Sequence, residues 1–231
     1  MSEPAGADGH ALPAWRRRTQ GEHRWPASLA VAIAAALQLA LPARLAMPPR
    51  YLLPTFEIML LIGLAVADPG RIDRREKHLR VMGIALIAAV SVTNIVSATR
   101  LVSELVRADP IADSAARLLV NGGSIYLTNI IAFALWYWEL DRGGPAARTH
   151  GVEAYPDFLF PQMSTPDLAP PEWEPNFVDY LYVSFTNATA FSPTDVLPLS
   201  RPAKAAMALQ STVALTTVAL VISRAINVLR Q

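Results

Sequence analysis

Hydroxyl and carboxylate side chains collect around a Pro-containing break late in the sequence. A tight loop, SPTDVLP at 192–198, follows a short aromatic and hydroxyl-rich segment at 177–191. Proline disfavours helical geometry in the residue before it and cannot continue the hydrogen-bond ladder, so this spacing predicts a helix that ends at the loop. Oxygen-bearing side chains at such a break can replace the water around a cation. The candidate ion-path residues are Thr186, Thr189, Ser192, Thr194 and Asp195. The Asp195 carboxylate could equally cap the loop by accepting from backbone N–H groups.

Ionisable and amide side chains also interrupt the long apolar runs. Arg100 and Glu104 share one helical face, and an arginine within hydrocarbon is costly, so Glu104 is its expected partner unless Arg100 reaches the membrane surface. Glu57 is a neutral packed acid, a partner of Arg100 or a proton site, with a structural role preferred. Gln210 and Arg224 lie on one face of the last run, which indicates helix packing or, less strongly, a transport path.

Catalytic and cofactor motifs are missing from the sequence. There is no cysteine, the four histidines are far apart, and no G-x-S-x-G, H-E-x-x-H or Gly-rich phosphate loop occurs. We therefore expect no metal site, no cofactor and no enzymatic activity. The net charge of +1 predicts no nucleic-acid partner.

Apolar composition determines the predicted class. Hydrophobic residues make up 52% of the 231 residues, and runs of such length with few charges are typical of transmembrane helices. The five runs are Ala27–Leu41, Tyr51–Ala67, Val81–Val106, Leu118–Leu140 and Ala205–Leu229. We predict an all-α, polytopic integral membrane protein with about five transmembrane helices plus one short re-entrant or sixth helix, its first partner being the lipid bilayer.

The segment 177–191 is the short helix of that prediction. At 1.5 Å per residue it falls short of a hydrocarbon core of roughly 30 Å, yet it is too apolar for a surface loop. If it dips into the membrane and returns, the C-terminus is outside, and if it crosses, the C-terminus is inside. The charge distribution is compatible with both.

Positive charge predicts the orientation. The short loop after the second run carries Arg71, Arg74, Arg75, Lys77 and Arg80. Such loops stay in the cytoplasm, so we place the protein in the inner (plasma) membrane with its N-terminus cytoplasmic.

Composition divides the chain into four parts. We predict a disordered cytoplasmic tail at 1–24, a four-helix transmembrane region at 25–148, a Pro- and acid-rich connector at 149–176, and a pore-like helix, loop and final transmembrane helix at 177–231. The connector carries aromatic residues that favour anchoring at the headgroup level, while its carboxylates could alternatively gather cations at a pore mouth.

The last part resembles the pore domains of potassium channels. In DYLYVSFTNATAFSPTDVLPLSRPAKAAMALQ, the order of residues is similar to a pore helix, a filter and the start of the following helix, and matching positions include Asp179, Tyr182, Ser184 and Pro198. The block is also similar to a group of uncharacterised multi-pass bacterial membrane proteins. The glycine-containing carbonyl filter of the channels is replaced by Phe191-Ser192-Pro193-Thr194, so potassium selectivity does not carry over.

The resemblance implies a function without fixing the permeant species. It favours an ion-channel-like permeation module for monovalent cations, assembled as a homo-oligomer because one such hairpin cannot enclose a pore. A non-conducting structural or accessory membrane protein is nearly as well supported, and a small-solute transporter is a weaker alternative.

Overall fold

The computed structural model describes residues 13–107, 114–189 and 195–229, and helices dominate all three ranges. Four long helices occupy most of residues 25–148. They are α1 (Trp25–Ala40), α2 (Leu52–Ala67), α3 (Lys77–Arg107) and α4 (Ala115–Leu140). Two short helices follow, α5 (Pro145–Thr149) and α6 (Pro161–Ser164), and the chain ends with α7 (Phe177–Thr189) and α8 (Arg201–Leu229).

Three of the described helices, α3, α4 and α8, are long and apolar enough to cross a bilayer. The α1 and α2 helices are apolar but contain only 16 residues each, which corresponds to about 24 Å of helix. The predicted all-α membrane class therefore agrees with the structure, and the predicted number of about five spans exceeds the three helices that meet the length criterion.

Helix α4 lies at the centre of the bundle, and the other long helices surround it. It contacts α1, α3, α7 and α8, while α2 packs on α1 and α3. The main hydrophobic core includes fully buried Ala34 on α1, Val90 on α3 and Ala134 on α4. More than half of the most apolar 18-residue stretch of α4 is buried, whereas only 28% of the corresponding stretch of α8 is buried. The last helix thus keeps most of its apolar surface uncovered within one chain.

The bundle has two distinct ends. One end, which we call the polar end, contains residues 13–24, the loop at 68–76 and the connector at 141–176. These segments are joined there, because Arg24 pairs with Asp68 at 2.8 Å and the His23 backbone bridges to Arg71. The far end contains the loop at 41–51, the last turns of α3 and α8, and the first turn of α4. The basic loop and the N-terminal segment therefore lie on the same side of the bundle.

The predicted disordered tail needs correction where the structure describes it. Residues 13–24 are ordered against the polar end, and Trp15 is only 7% exposed. The backbone carbonyl of Trp15 accepts a hydrogen bond from the buried Arg142 guanidinium, and the Thr19 hydroxyl donates to Glu174 at 2.9 Å. Burial of an aromatic ring and pairing with distant residues order this segment, although its sequence is polar. Residues 1–12 lie outside the described part of the chain.

The connector is ordered by a small β ribbon. Strand β1 (Phe158–Leu159) pairs antiparallel with β2 (Leu197–Pro198). Phe158 and Phe160 are buried rather than placed at the surface as anchors, and their rings contact the ring of Tyr180 on α7. The connector therefore packs against the first turns of α7 and pairs with the segment that precedes α8.

Candidate functional site

The first turn of α7 is closed by reciprocal side-chain caps. The Asn176 side-chain oxygen accepts from the Val178 N–H at 2.9 Å, and the Asp179 carboxylate accepts from the Asn176 N–H at 2.8 Å. This arrangement satisfies N–H groups that have no partner within the helix, and it places a carboxylate at the positive end of the helix dipole. The sequence therefore fixes where α7 begins.

Glu22 ties this helix start to the rest of the polar end. Its carboxylate accepts from the Phe177 N–H at 2.8 Å, the Trp138 indole at 2.6 Å and the Arg148 guanidinium at 3.0 Å. Burial raises the pKa of the Glu22 carboxyl, and the Arg148 charge and the N–H donors oppose that rise. A residue of the predicted disordered tail is thus a buried ionic partner of α7.

Asp141, at the end of α4, holds the next turn of α7 in place. One carboxylate oxygen accepts from the Tyr180 hydroxyl at 2.5 Å, and the other accepts from the Asp157 N–H at 2.7 Å and the Phe158 N–H at 3.3 Å. The Arg148 guanidinium lies 5.0 Å from the centre of the Tyr180 ring. The start of α7 and strand β1 are therefore anchored by one buried carboxylate.

From the polar end, α7 runs antiparallel to α4 and stops partway along it. The Ser184 hydroxyl donates to the Ile130 carbonyl at 2.6 Å, and Ala188 packs in a cluster with Ile130. Ile130 precedes Asp141 by eleven residues, or about 16 Å along α4. The 13 residues of α7 span about 20 Å, well short of a hydrocarbon core of about 30 Å.

After this point the chain comes back to the polar end. Val196 is buried in the main core, β2 pairs with β1, and the Leu199 N–H donates to the Asp157 carbonyl at 2.8 Å. The Ser200 hydroxyl then accepts from the Ala203 N–H at 3.3 Å at the beginning of α8. The helix predicted at 177–191 therefore ends before α8 begins, as predicted, and the chain leaves this part of the bundle at the end where α7 started.

Helix α8 starts at the polar end and follows α4 to the far end. Gln210 meets Tyr137 near the end of α4, Val221 lies against Gly122, and Ala225 packs in a cluster with Leu118 near its beginning. Since α8 is antiparallel to α4, it is parallel to α7. Two parallel helices in sequence require a return segment between them, and residues 195–200 are its described part.

A buried polar cluster binds α7 to α8 and α4. The Gln210 side chain, fully buried, donates to the Ser184 hydroxyl at 2.7 Å and the Ser184 carbonyl at 2.9 Å. It accepts from the Tyr137 hydroxyl at 2.5 Å and from the Asn187 amide at 2.8 Å. The Ser211 hydroxyl donates to the Asn187 side-chain oxygen at 3.1 Å. Gln210 thus has all its hydrogen bonds made inside one chain, which indicates a packing role.

The predicted ion-path residues are brought together only in part. Thr186 is buried, and its hydroxyl donates to the Tyr182 carbonyl at 3.0 Å, while the Thr189 hydroxyl donates to the Thr186 carbonyl at 3.0 Å. Asp195 is exposed on the return segment. Ser192 and Thr194 lie outside the described residues. The hydroxyls of Thr186 and Thr189 keep oxygen lone pairs that can accept from water or coordinate a cation.

Glu57 belongs to a second buried polar cluster, away from α7 and the return segment. The Thr93 hydroxyl donates to its carboxylate at 3.2 Å, and the Gln38 amide, with its nitrogen turned toward Glu57, donates to both carboxylate oxygens at 3.2 Å. Within the described residues Glu57 has no cationic partner. Of the three predicted roles, partnership with Arg100 is therefore wrong.

The predicted pairing of Arg100 with Glu104 is also wrong. The Arg100 guanidinium donates to the backbone carbonyls of Arg44 and Ala46, and Glu104 forms an ion pair with Arg44 at 3.4 Å. The loop after α1 folds over α3 and supplies both partners, which sequence spacing within α3 could not indicate. Arg224 is half-buried in the last turns of α8.

Sequence reasoning missed most members of the two anchoring clusters. Glu22 and Asp141 each lie in a segment of mixed polarity without a motif. Ser184 and Asn187, three residues apart on α7, form a polar pair on one helical face, and this spacing was the available signal for the cluster around Gln210.

The two main cavities of the described residues are lined by other side chains. One lies between α1, α2, α3 and α4, and the other lies beside Arg17 and Glu172 at the polar end. Comparison of the chain with known protein families, with curated proteins and with solved structures finds no match. Inferences about function therefore rest on the residues and geometry of this chain.

Proposed function

We propose that this protein is an integral membrane permeation module for monovalent cations whose path passes the re-entrant hairpin of residues 177–200. One observation carries the proposal: α7 ends partway along α4, and the chain then returns to the end from which it came. Irregular backbone at membrane depth is tolerated where it is enclosed by protein or lines water. A half-depth helix followed by a returning segment is a way to place polar groups inside a membrane pore.

The path would be formed by the oxygen-bearing residues at the tip and return of the hairpin. Thr186 and Thr189 lie at the inner end of α7, and Asp195 lies on the return segment. Ser192 and Thr194 belong to the same proposal from sequence alone. Without a glycine-based carbonyl filter, hydroxyl and carboxylate oxygens would discriminate poorly among monovalent cations.

A homo-oligomer is part of the proposal because one hairpin leaves the path open on one side. The uncovered surface of α8 supports it, since small residues allow helices in membranes to approach closely. Six exposed small or hydroxyl-bearing residues recur every three or four positions along that helix: Ala205, Ala208, Thr212, Thr216, Ala219 and Ser223.

We further propose that the polar end faces the cytoplasm in an inner (plasma) membrane. The basic loop at 71–80 and the segment containing Arg16, Arg17 and Arg18 both lie at this end, and short basic segments remain in the cytoplasm. The hairpin would then enter from the cytoplasmic side, and α8 would end outside.

Flux through liposomes tests the proposal. Purified wild-type protein should pass Na⁺ and K⁺ at comparable rates under both voltage polarities, and its mass in detergent should be a multiple of the single chain. Asp195→Asn should lower the cation flux or change its selectivity while the oligomer stays intact. Asp73→Asn, which removes an exposed carboxylate from the basic loop outside the path, is the matched control.

A second candidate is a non-conducting structural or accessory membrane protein. The observation favouring it is that Gln210, Asn187 and Ser184 satisfy one another inside the chain rather than facing an opening. An absence of flux from a well-folded wild-type oligomer, with several cations and both polarities, would favour this candidate and contradict the permeation proposal.

A further inference from the structure

A cavity of about 490 Å³ opens at the polar end between the first four helices. We call it the basic cleft. Its walls are mainly apolar and include Val31 on α1, Leu64 on α2, Ile87 on α3 and Trp138 on α4. The volume is within the range of sites that enclose small molecules. The cleft therefore has an apolar interior that a hydrocarbon chain could fill.

The depth of the cleft matches one membrane leaflet. Along α3 it is lined from Lys77 to Ile87, which is about 15 Å at the rise of an α-helix. The hydrocarbon core of a bilayer is about 30 Å thick, so one leaflet contributes about half of that. Lys77 begins α3 at the polar end, where the membrane surface would lie.

Basic side chains surround the mouth of the cleft. Five basic residues line it against three acidic ones: Arg24, Arg74, Arg75, Lys77 and Arg80, with Glu76, Glu139 and Glu153. Two of the basic residues are already paired, because Arg80 lies 3.4 Å from Glu139 and Arg24 lies 2.8 Å from Asp68. Glu76 lies 3.2 Å from His78. Within the described ranges, Arg75 and Lys77 are exposed and form no ion pair. The mouth can therefore accept an anion.

We propose that the basic cleft binds an anionic phospholipid, with an acyl chain in the apolar interior and the phosphate at Arg75 and Lys77. Basic pockets between transmembrane helices near the cytoplasmic surface attract anionic headgroups, and each nearby Lys or Arg strengthens that attraction. The apolar walls select a lipid over a free phosphate, which would gain nothing from them. The proposal is independent of conduction, because binding can be measured without flux.

Gly83 provides a way to close the cleft without disturbing the bundle. It lines the cleft, and a Cβ at this position would meet no atom within 4 Å. Gly83→Leu should fill the cavity and, in a helix interior, it also removes an unfavourable glycine. Gly123 on α4 is the matched control, because its Cβ position is equally open and it lies outside the cleft.

Native mass spectrometry of the delipidated full-length protein in detergent measures the binding. Wild type and Gly123→Leu should bind dioleoylphosphatidylglycerol at least about tenfold more tightly than dioleoylphosphatidylcholine, and Gly83→Leu should lose most of the phosphatidylglycerol binding. The double variant Arg75→Gln/Lys77→Gln should keep its binding of phosphatidylcholine and lose the preference for the anionic lipid.

Three results would overturn the proposal. The first is equal phosphatidylglycerol binding by Gly83→Leu and Gly123→Leu, and the second is an unchanged lipid preference in the double charge variant. The third is displacement of the phospholipid by an equal concentration of glycerol 3-phosphate, which would place recognition in the phosphate alone.

Discussion

Replacing Gln210 with leucine tests whether the polar cluster around its side chain holds α7 against α4 and α8. The Gln210 amide makes four hydrogen bonds across helix boundaries, to Ser184, Tyr137 and Asn187. Side-chain hydrogen bonds between membrane helices contribute about 0.6 kcal/mol each on average, which gives roughly 2–3 kcal/mol for four. We therefore expect Gln210→Leu to lower the free energy of unfolding by about that amount, although leucine has a similar size.

The Tyr137 hydroxyl accounts for part of this loss. It donates to Gln210 at 2.5 Å, and a buried donor left without an acceptor costs about 1–3 kcal/mol. Tyr137→Phe removes that donor, so the double variant Tyr137→Phe/Gln210→Leu should be less destabilised than the sum of the single variants, by about 1 kcal/mol.

Denaturing detergent titrated into mixed micelles, with tryptophan fluorescence as the signal, gives the unfolding free energies. Thr217→Val is the matched control, because Thr217 is also buried on α8 but its hydroxyl donates only to the Val213 carbonyl of its own helix. Since this hydroxyl makes no hydrogen bond to another helix, we expect the control to lose less than the contribution of one bond between helices, about 0.6 kcal/mol. If Gln210→Leu and Thr217→Val were equally stable, the cluster would not hold α7, and the reasoning would be refuted.

Three further variants test separate parts of the structure. Glu22→Ala should cost about 3 kcal/mol of stability because it leaves the buried Arg148 charge unpaired, whereas Glu172→Ala, at a surface ion pair, should cost about 0.5 kcal/mol or less in the same unfolding assay. Asp195→Asn should change stability by less than about 0.5 kcal/mol and lower cation flux severalfold, and a loss of stability without a change of flux would identify a cap. Glu57→Gln should leave flux unchanged, since Glu57 lies away from the hairpin, and loss of flux in this variant would instead indicate a proton site.

The long helices and the break in the last part could be predicted because their signals are local. The apolar run at 81–106 predicted α3, and Pro193 with its neighbours predicted an end to α7 within two residues of the observed Thr189. Apolar length and the absence of a backbone donor in proline act along the chain itself, so one sequence reveals them.

The partners of buried charges could not be predicted, because loops supply them. Arg100 is bound by carbonyl oxygens of the loop after α1, and Glu22 reaches Arg148 across the polar end. Neither sequence distance nor helical spacing relates such residues. The sequence leaves open, for the same reason, whether the segment 177–191 returns or crosses. The return depends on the pairing of Phe158 with Pro198, in two short strands within Pro-rich segments.

Labelling of single cysteines tests most directly whether the chain enters and leaves by the same end. The wild-type chain contains no cysteine, so each introduced thiol reports alone. Val178 and Leu199 are exposed at the two ends of the hairpin, Asp73 marks the basic loop, and Asn227 marks the end of α8. With an impermeant maleimide, cysteines at Val178, Leu199 and Asp73 should resist labelling in intact cells and react after lysis, while a cysteine at Asn227 should react in intact cells. Opposite behaviour of the Val178 and Leu199 positions would contradict the re-entrant hairpin.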